Sequence, residues 1–166
     1  MKIYVASSWR NETHPMVVER LRQEGHEVYD FKHPKEDDNG FHWSEIDHDY
    51  KYWNVPEFID ALSHPLAGEG YKNDIEAMEW ADAIVLVLSS GRSAHLELGW
   101  GAGKGLLTII YLPEGIQYEP ELMYKMADYL TPDLDEVVDI VRLAAPKTKI
   151  QRALNISRPL RMGPDD

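Results

Sequence analysis

The chain has 166 residues, of which 43% are hydrophobic and 28% are charged, enough for one ordinary domain with its own core. Its 17 basic and 29 acidic residues give a formal net charge of −12, which disfavours binding to DNA, RNA or acidic membrane surfaces. The absence of cysteine excludes disulfides, thiol nucleophiles and zinc–thiolate sites, and the lack of a long apolar run or a signal-peptide-like start predicts a cytoplasmic protein.

Short β-rich runs alternate with helical patterns along most of the chain. Up to residue 31, the patterns predict a strand at residues 2–6, a helix at 15–24 and a strand at 26–31. From residue 72 onward they predict, in chain order, a helix at 72–80, a strand at 83–88, a helix at 94–104, a strand at 107–111, a helix at 120–126, a short strand near Tyr129 and a helix at 134–143. Residues 83–88 (AIVLVL) are continuously apolar, as in a strand covered on both faces, so they are expected at the sheet centre. This alternation predicts an α/β domain with a mainly parallel sheet over residues 1–144.

Residues 32–70 interrupt this alternation. They are rich in polar residues, glycine and proline, yet they also carry six large aromatic residues: Phe41, Trp43, Tyr50, Tyr52, Trp53 and Phe58. Disordered segments usually lack aromatic residues, so an ordered excursion with one short helix at 56–62 is expected. Such a segment is either a lid, binding loop or interface element, or a surface insertion held by its own aromatic residues.

The C-terminal tail, residues 145–166, differs in charge from the rest of the chain. It carries five basic residues (Lys147, Lys149, Arg152, Arg158 and Arg161) but only two acidic ones (Asp165 and Asp166). We expect it to pack on a neighbouring surface or to remain mobile.

Ligands of open α/β sheets bind beyond the carboxyl ends of the strands, where the strand order reverses. This rule selects the loops at residues 7–11, 89–93 and 112–115. The first two contain Arg10 and Arg92 among five serines, a composition suited to a phosphate or to sugar hydroxyls. Alternatively, the serines cap helices and the arginines pair with surplus surface acids. Neither loop has a P-loop or GxGxxG pattern, so ATP hydrolysis and hydride transfer are not supported.

The segment 91–104 is the most informative one for chemistry. If Ser93 is the N-cap, Glu97 lies in the first turns of a helix whose positive end favours an ionised carboxylate, and such a carboxylate can act as a nucleophile. Three glycines in the same helix each cost roughly 1 kcal/mol relative to alanine, which indicates close approach of the helix to the sheet or to another subunit. They are Gly99, Gly101 and Gly103.

Other acidic and histidine residues have simpler interpretations. Asp74, at the start of the predicted helix at 72–80, either complements the helix dipole or takes part in a site. His42, Asp47, His48 and Asp49 could be arranged as metal ligands, but their spacing matches no known site. We therefore expect neither a metal nor a cofactor.

Several motifs, taken together, resemble the nucleoside 2-deoxyribosyltransferase superfamily, which includes the 2′-deoxynucleoside 5′-phosphate N-hydrolases. The likeness spans about residues 1–143 in the order of elements. Its motifs are Ile3-Tyr4-Val5-Ala6-Ser7-Ser8-Trp9-Arg10, Asn73-Asp74, Ala81-Asp82-Ala83 and Glu97-Leu98-Gly99 followed by a small-residue helix and Lys104.

The resemblance implies a flavodoxin-like, three-layer α/β/α fold with a five-stranded sheet in the order 2-1-3-4-5. It also implies a retaining displacement at C1′ of a nucleoside or nucleotide, in which Glu97 attacks and water or a second base accepts the sugar. Tyr4 matches a tyrosine that orients the nucleophile, and Asp74 an aspartate that holds the sugar or protonates the base. Arg10 resembles a phosphate-binding arginine, and the expected substrate-binding residues are Ser7, Ser8, Arg10, Gly91, Arg92 and Ser93. Members usually assemble, so a homodimer or larger homo-oligomer is expected.

Two alternatives remain open from the sequence. One is a TIR-like glycohydrolase that consumes NAD, because TIR domains share the flavodoxin-like layout and a helix glutamate. The other is a non-catalytic nucleotide sensor, in which the same pocket binds and never cleaves.

Overall fold

A computed structural model describes residues 1–144 and 161–162 of the chain, so the predicted behaviour of the tail lies outside the described residues apart from residues 161–162. The strands are β1 (Lys2–Ala6), β2 (Glu27–Asp30), β3 (Ala83–Val87), β4 (Leu107–Tyr111), β5 (Tyr129–Thr131) and β6 (Arg161–Met162). The α-helices are α1 (Thr13–Gln23), α2 (Val55–Leu62), α3 (Pro65–Trp80), α4 (Arg92–Gly103) and α5 (Leu134–Leu143), and short 3₁₀ helices lie at Trp43–Glu45, Tyr50–Tyr52 and Leu122–Met126. In the described part of the chain, no helix is both long enough and apolar enough to cross a membrane.

The strands form one sheet in the order β2-β1-β3-β4-β5-β6. Strand β3 pairs in parallel with β1 and β4, and β5 pairs in parallel with β4 and β6. The register of β1 and β3 aligns Tyr4 with Ile84 and Ala6 with Leu86. The predicted order 2-1-3-4-5 is confirmed, and the two-residue strand β6 adds to the β5 edge. Because the order reverses between β1 and β3, the loops that follow these strands are the expected ligand-binding position.

Alternate residues of the strands face one hydrophobic core, because successive side chains of a strand point to opposite faces. On this face the sheet packs against α1 and α5. The core residues from the strands are Ile3, Val5, Ala83, Val85, Val87, Leu107, Ile109 and Tyr111, and those from the helices are Val17, Val18, Leu21, Val137, Val138 and Val141. Every residue of β3 is buried, as its continuous apolar run predicts.

Helix α4 covers the opposite face of the sheet. A Cβ placed on Gly101 would lie 2.5 Å from Cδ1 of Ile84, a β3 side chain that does not belong to the first core. The glycine therefore permits close approach of helix and sheet, whereas a Cβ at Gly99 or Gly103 would meet nothing within 4 Å. The predicted three-layer α/β/α arrangement is confirmed, and of the three α4 glycines Gly101 makes the close approach to the sheet.

Helices α1 and α2 begin within two residues of their predicted starts. Three other predicted helices differ from the observed ones in start, cap or type. Helix α3 begins at Pro65 rather than at residue 72, because proline suits a first helical turn and its glycines are tolerated there. Helix α4 has Gly91, not Ser93, as its N-cap. The segment expected as an α-helix at 120–126 is a 3₁₀ helix, capped by a hydrogen bond from the backbone N–H of Met123 to the Glu121 carboxylate (2.9 Å).

Residues 30–79 form a compact unit distinct from the one formed by residues 1–29 and the described residues from Trp80 onward. Within residues 30–79, the aromatic side chains pack edge to face around Trp43, whose ring centroid lies 4.8 Å from that of Phe41 and 5.7 Å from that of Trp53. Gly70 supports this cluster, because a Cβ there would lie 2.7 Å from the Cβ of Phe41. The aromatic residues thus form a half-buried cluster within this segment.

Candidate active site

The loops after β1 and β3 are joined by hydrogen bonds at the carboxyl edge of the sheet. The Ser7 hydroxyl donates to the carbonyl oxygen of Val87 (2.8 Å). The buried Asn11 amide donates to the carbonyl oxygens of Val87 and Ser89 (3.1 Å each) and accepts from the backbone N–H of Thr13 (2.8 Å). These bonds fix the two predicted ligand-binding loops relative to each other.

Asn11 was not among the predicted site residues, although its position just before the first helix was a usable signal. We expect Asn11→Ala to lower the free energy of unfolding by about 1–3 kcal/mol, because it leaves the Ser89 carbonyl and the Thr13 N–H without their side-chain partner. Urea unfolding would measure this loss, with the exposed Asn39→Ala as a control that changes stability by less than about 0.5 kcal/mol. Equal stabilities of the two variants would contradict a bracing role for Asn11.

Glu97 lies on the side of α4 that faces the sheet. Residues four apart share a helix face, so Glu97 is on the same face as Gly101, which contacts Ile84. The helix starts at the carboxyl edge of β3, and Glu97, four residues before Gly101, is about 6 Å nearer that edge. The half-buried carboxylate is thus positioned roughly level with the ends of β1 and β3.

The observed N-cap changes the electrostatic interpretation of Glu97. With Gly91 as the N-cap, Glu97 is the sixth residue of the helix and lies in its second turn, two positions deeper than expected. The influence of the helix dipole falls off within the first turn, so the predicted stabilisation of an ionised Glu97 by the dipole is weaker than the sequence suggested.

Tyr4 lies on the sheet face that α4 covers. It is fully buried, is in register with Ile84 and stacks on Tyr29 with a centroid distance of 5.2 Å. Alternation along β1 directs Tyr4 away from the α1 and α5 core, which holds its neighbours Ile3 and Val5. Tyr4 and Glu97 therefore belong to the same layer boundary, between the sheet and α4.

Two predicted serines have structural partners. The Ser7 hydroxyl joins the two loops, and the Ser8 hydroxyl accepts a hydrogen bond from the backbone N–H of Arg10 (3.2 Å). Ser93 is exposed inside the first turn of α4 rather than at its cap.

The side chains of Arg10 and Arg92 are exposed; Gly91 is the N-cap of α4 and Arg92 its first residue. Within the residues that the structure describes, neither guanidinium forms an ion pair with a carboxylate. The alternative in which both arginines neutralise surface acids finds no support in those residues.

Asp74 belongs to the unit of residues 30–79, whereas the other predicted site residues belong to the unit that carries the sheet. It is half-buried and is the tenth residue of α3. Its interpretation as a helix-start acid is therefore wrong, because α3 begins nine residues earlier than Asp74.

Asp47, one of the acidic residues at 42–49, contributes to local structure. The Asp47 carboxylate accepts hydrogen bonds from the backbone N–H of Asp49 (2.8 Å) and the indole N–H of Trp53 (2.6 Å). These two bonds, the first more than the second, lower the pKa of Asp47. Over residues 1–144, no three histidine, aspartate or glutamate side chains gather as a metal site would require.

A second pair of residues, His95 and Tyr124, also escaped the sequence analysis. The Nε2 atom of His95 lies 2.9 Å from the Tyr124 hydroxyl, and its Nδ1 atom lies 2.8 Å from the Gly91 carbonyl oxygen. Burial, followed by the negative charge of Glu121, raises the pKa of Tyr124, so this phenol keeps its proton. No sequence signal could have found the pair, because its members lie 29 positions apart.

Comparison with solved structures identifies the same fold elsewhere. A 2-deoxyribosyltransferase from Bacillus psychrosaccharolyticus is 24% identical, with a TM-score of 0.54 over 84% of this chain and 91% of that one. Two further matches are a CMP N-glycosidase from Clostridium botulinum (15% identity, TM-score 0.47, 86% and 100% of the two chains) and a conserved protein from Enterococcus faecalis V583 (16%, 0.42, 94% and 96%). No family model matches the sequence, and neither does any curated protein. The first match confirms the expected fold.

Proposed function

We propose that the chain cleaves the N-glycosidic bond of a (deoxy)nucleoside or nucleoside 5′-monophosphate, with Glu97 as the nucleophile. The observation that carries the proposal is the position of Glu97, on the sheet-facing side of α4 near the carboxyl edge of β1 and β3. The motif Glu97-Leu98-Gly99 and a fold shared with a 2-deoxyribosyltransferase support the same chemistry.

The proposed reaction has two half-reactions. The Glu97 carboxylate attacks C1′, the bond from C1′ to the base nitrogen breaks, and the base leaves with the bonding electron pair and gains a proton. Asp74 is the proposed donor of that proton or a ligand of the sugar, and Tyr4 orients Glu97. Water or a second base then attacks C1′ of the glycosyl ester and releases Glu97, giving hydrolysis or transfer respectively.

The substrate preference proposed here is for a 5′-monophosphate. Arg10 and Arg92 are exposed on the two joined loops, and no carboxylate of the described residues pairs with them. A guanidinium binds a phosphate through charge-assisted hydrogen bonds, even in a protein whose overall charge repels polyanions. The same carboxyl edge of the sheet would be lined by Ser7, Ser8, Gly91 and Ser93.

Chromatographic detection of free base tests this function. The protein is incubated with a panel of nucleosides, 5′-monophosphates and NAD, and released base or nicotinamide is quantified. Release from monophosphates in preference to nucleosides would support the proposal, and Arg10→Ala should then remove the preference. Nicotinamide release from NAD alone would favour the TIR-like glycohydrolase, and a nucleotide that binds but survives intact would favour the sensor.

We also propose that the chain forms a homodimer through α2. A capping box, in which the Asn54 side chain accepts from the Glu57 N–H (3.0 Å) and the Glu57 carboxylate from the Asn54 N–H (2.7 Å), starts this helix. Its apolar residues follow the i, i+3, i+4, i+7 spacing of a buried stripe but are exposed: Val55 70%, Phe58 44%, Ile59 58% and Leu62 52%.

A second copy of the chain is the occupant that this stripe fits. With the nearby Tyr52 and Leu66, the stripe exposes on the order of 500 Å², as large as the largest patch of a typical monomer. A two-fold contact places the same stripe of both copies together and would bury about 1,000 Å², near the lower bound of a specific interface.

A cytoplasmic location stays an expectation from the sequence.

Sedimentation velocity tests the dimer. The double variant Ile59→Asp/Leu62→Asp is expected to sediment as a 19.1 kDa monomer at concentrations at which the wild type is dimeric, because it places carboxylates in the apolar contact. Leu143→Asp is the matched control, since Leu143 is 81% exposed on α5 and should leave the mass unchanged. A monomeric wild type, or an equal mass for the double variant and the wild type, would refute the interface.

A further inference from the structure

His95 has a defined tautomer because of its two partners. A carbonyl oxygen only accepts hydrogen bonds, so the nitrogen 2.8 Å from the Gly91 carbonyl, Nδ1, carries the proton. In a neutral imidazole the other nitrogen, Nε2, is then an acceptor, and the Tyr124 hydroxyl donates to it over 2.9 Å. The Ser90 hydroxyl approaches Nδ1 at 3.5 Å. Both ring nitrogens are thus assigned a role by the surrounding groups.

The pair connects three segments at the carboxyl edge of the sheet. His95 is in the second turn of α4, Gly91 and Ser90 end the loop after β3, and Tyr124 lies in the 3₁₀ helix Leu122–Met126 that follows β4. The two rings are nearly parallel, with an interplanar angle of 15° and a centroid distance of 5.7 Å. A single side chain therefore holds the N-terminus of α4, the loop before it and the turn after β4.

His95 is not placed to act on Glu97 directly. Residues two apart on a helix are separated by about 200° and do not face each other. Glu97 is on the face toward the sheet, with Gly101, so His95 is directed to a different side of α4, where Tyr124 lies. Its effect on the site passes instead through the Gly91 carbonyl, next to Arg92.

We infer that His95, held in its Nδ1–H tautomer between Gly91 and Tyr124, is a positioning residue that sets the geometry of the substrate-binding loop at residues 89–93. This inference rests on the proposed function for its kinetic part, while the tautomer is independent of it. Because Tyr124 keeps its proton and donates, the linkage from Gly91 through His95 to Tyr124 needs no ionised group. Loss of the His95 hydrogen bonds leaves Glu97 in place but loosens the loop. It therefore weakens substrate binding more than it slows the chemical step.

Kinetics of base release provides one test. Tyr124→Phe removes the donor and keeps the ring, and it is expected to raise KM about 3- to 10-fold while kcat changes less than about 2-fold. His95→Ala should give a similar KM, and the double variant should be no worse than the poorer single variant, because both break one linkage. Tyr118→Phe is the matched control, since Tyr118 is 53% exposed in the same connection and should behave as wild type. An unchanged KM in Tyr124→Phe would overturn the inference.

Nitrogen-15 NMR of the histidine rings provides the second test and needs no substrate. In the wild type at slightly alkaline pH, the His95 signals, assigned by their absence in His95→Gln, should show a protonated Nδ1 and a hydrogen-bonded, unprotonated Nε2. In Tyr124→Phe the Nε2 signal should shift to that of a nitrogen without a donor. A protonated Nε2 in the wild type would overturn the inference. If the tautomer is as expected but no substrate releases base, the proposed function fails, whereas the hydrogen-bonded linkage of His95 to Gly91 and Tyr124 is supported.

Discussion

Glu97→Ala is expected to lower the rate of base release by about 10⁴-fold or more, while the Kd for a nucleoside 5′-monophosphate stays within about 3-fold of the wild type. The reason is that the substitution removes the atom that attacks C1′ but leaves Arg10 and Arg92, the proposed phosphate ligands, in place. Single-turnover measurement of free base gives the rate, and calorimetric titration gives the Kd.

Three further measurements separate nucleophilic catalysis from a structural effect. Glu97→Gln keeps the shape of the side chain but cannot form the ester, so it should be as inactive as Glu97→Ala. Glu19→Ala, an exposed glutamate on α1, should remain active. Azide added to Glu97→Ala should restore base release and yield a glycosyl azide, because it supplies the missing nucleophile. Undiminished base release by Glu97→Ala would sink the proposal.

Gly101→Val is expected to lower the free energy of unfolding by about 3 kcal/mol. A Cβ at this position would already lie 2.5 Å from Cδ1 and 3.1 Å from Cγ1 of Ile84, which is fully buried in the central strand β3. The Ile84 side chain would have to rotate, or helix and sheet to separate, because close-packed protein interiors leave little room for added methyl groups. Urea unfolding measures the loss.

Two matched variants test whether contact with Ile84 is the cause. Gly99→Val changes the same residue type in the same helix where a Cβ meets nothing within 4 Å, so it should alter stability by less than about 0.5 kcal/mol. Ile84→Ala makes room, and the double variant Gly101→Val/Ile84→Ala should be about 1–3 kcal/mol more stable than the sum of the single effects predicts. Additive effects would show that the two residues do not compete for the same space.

Prediction from the sequence worked best where the local pattern and the tertiary environment agree. Strands β1 and β4 and helix α5 have the bounds that their patterns predict, because apolar strand runs and an amphipathic helix satisfy both local preference and burial. The start of α3 was missed because Gly70 favours a loop when taken alone. In the folded unit the same glycine is required by the packing of Phe41.

The candidate site was predictable only in part, for a similar reason. The order of elements selects the loops after β1 and β3, in which Arg92 was chosen by loop composition, and the motifs select Glu97, Tyr4 and Arg10. The roles of Asn11 and of the pair His95 and Tyr124 depend on hydrogen bonds between residues 29 to 78 positions apart, which no local pattern records.

From local patterns alone, the sequence determined the fold class, because strand and helix periodicity are local properties. The strand order and the residues proposed to act at C1′ were implied instead by the resemblance of its motifs to a known superfamily. Only the tertiary structure decided that α4 starts at Gly91, that Glu97 faces the sheet beside Gly101, and that the Ser7 and Ser8 hydroxyls hold the loop. These features are decided by which surfaces meet. A helix glycine has a packing role only where a strand side chain lies against it. A serine hydroxyl joins two loops only where a carbonyl oxygen distant in the sequence lies within hydrogen-bonding distance.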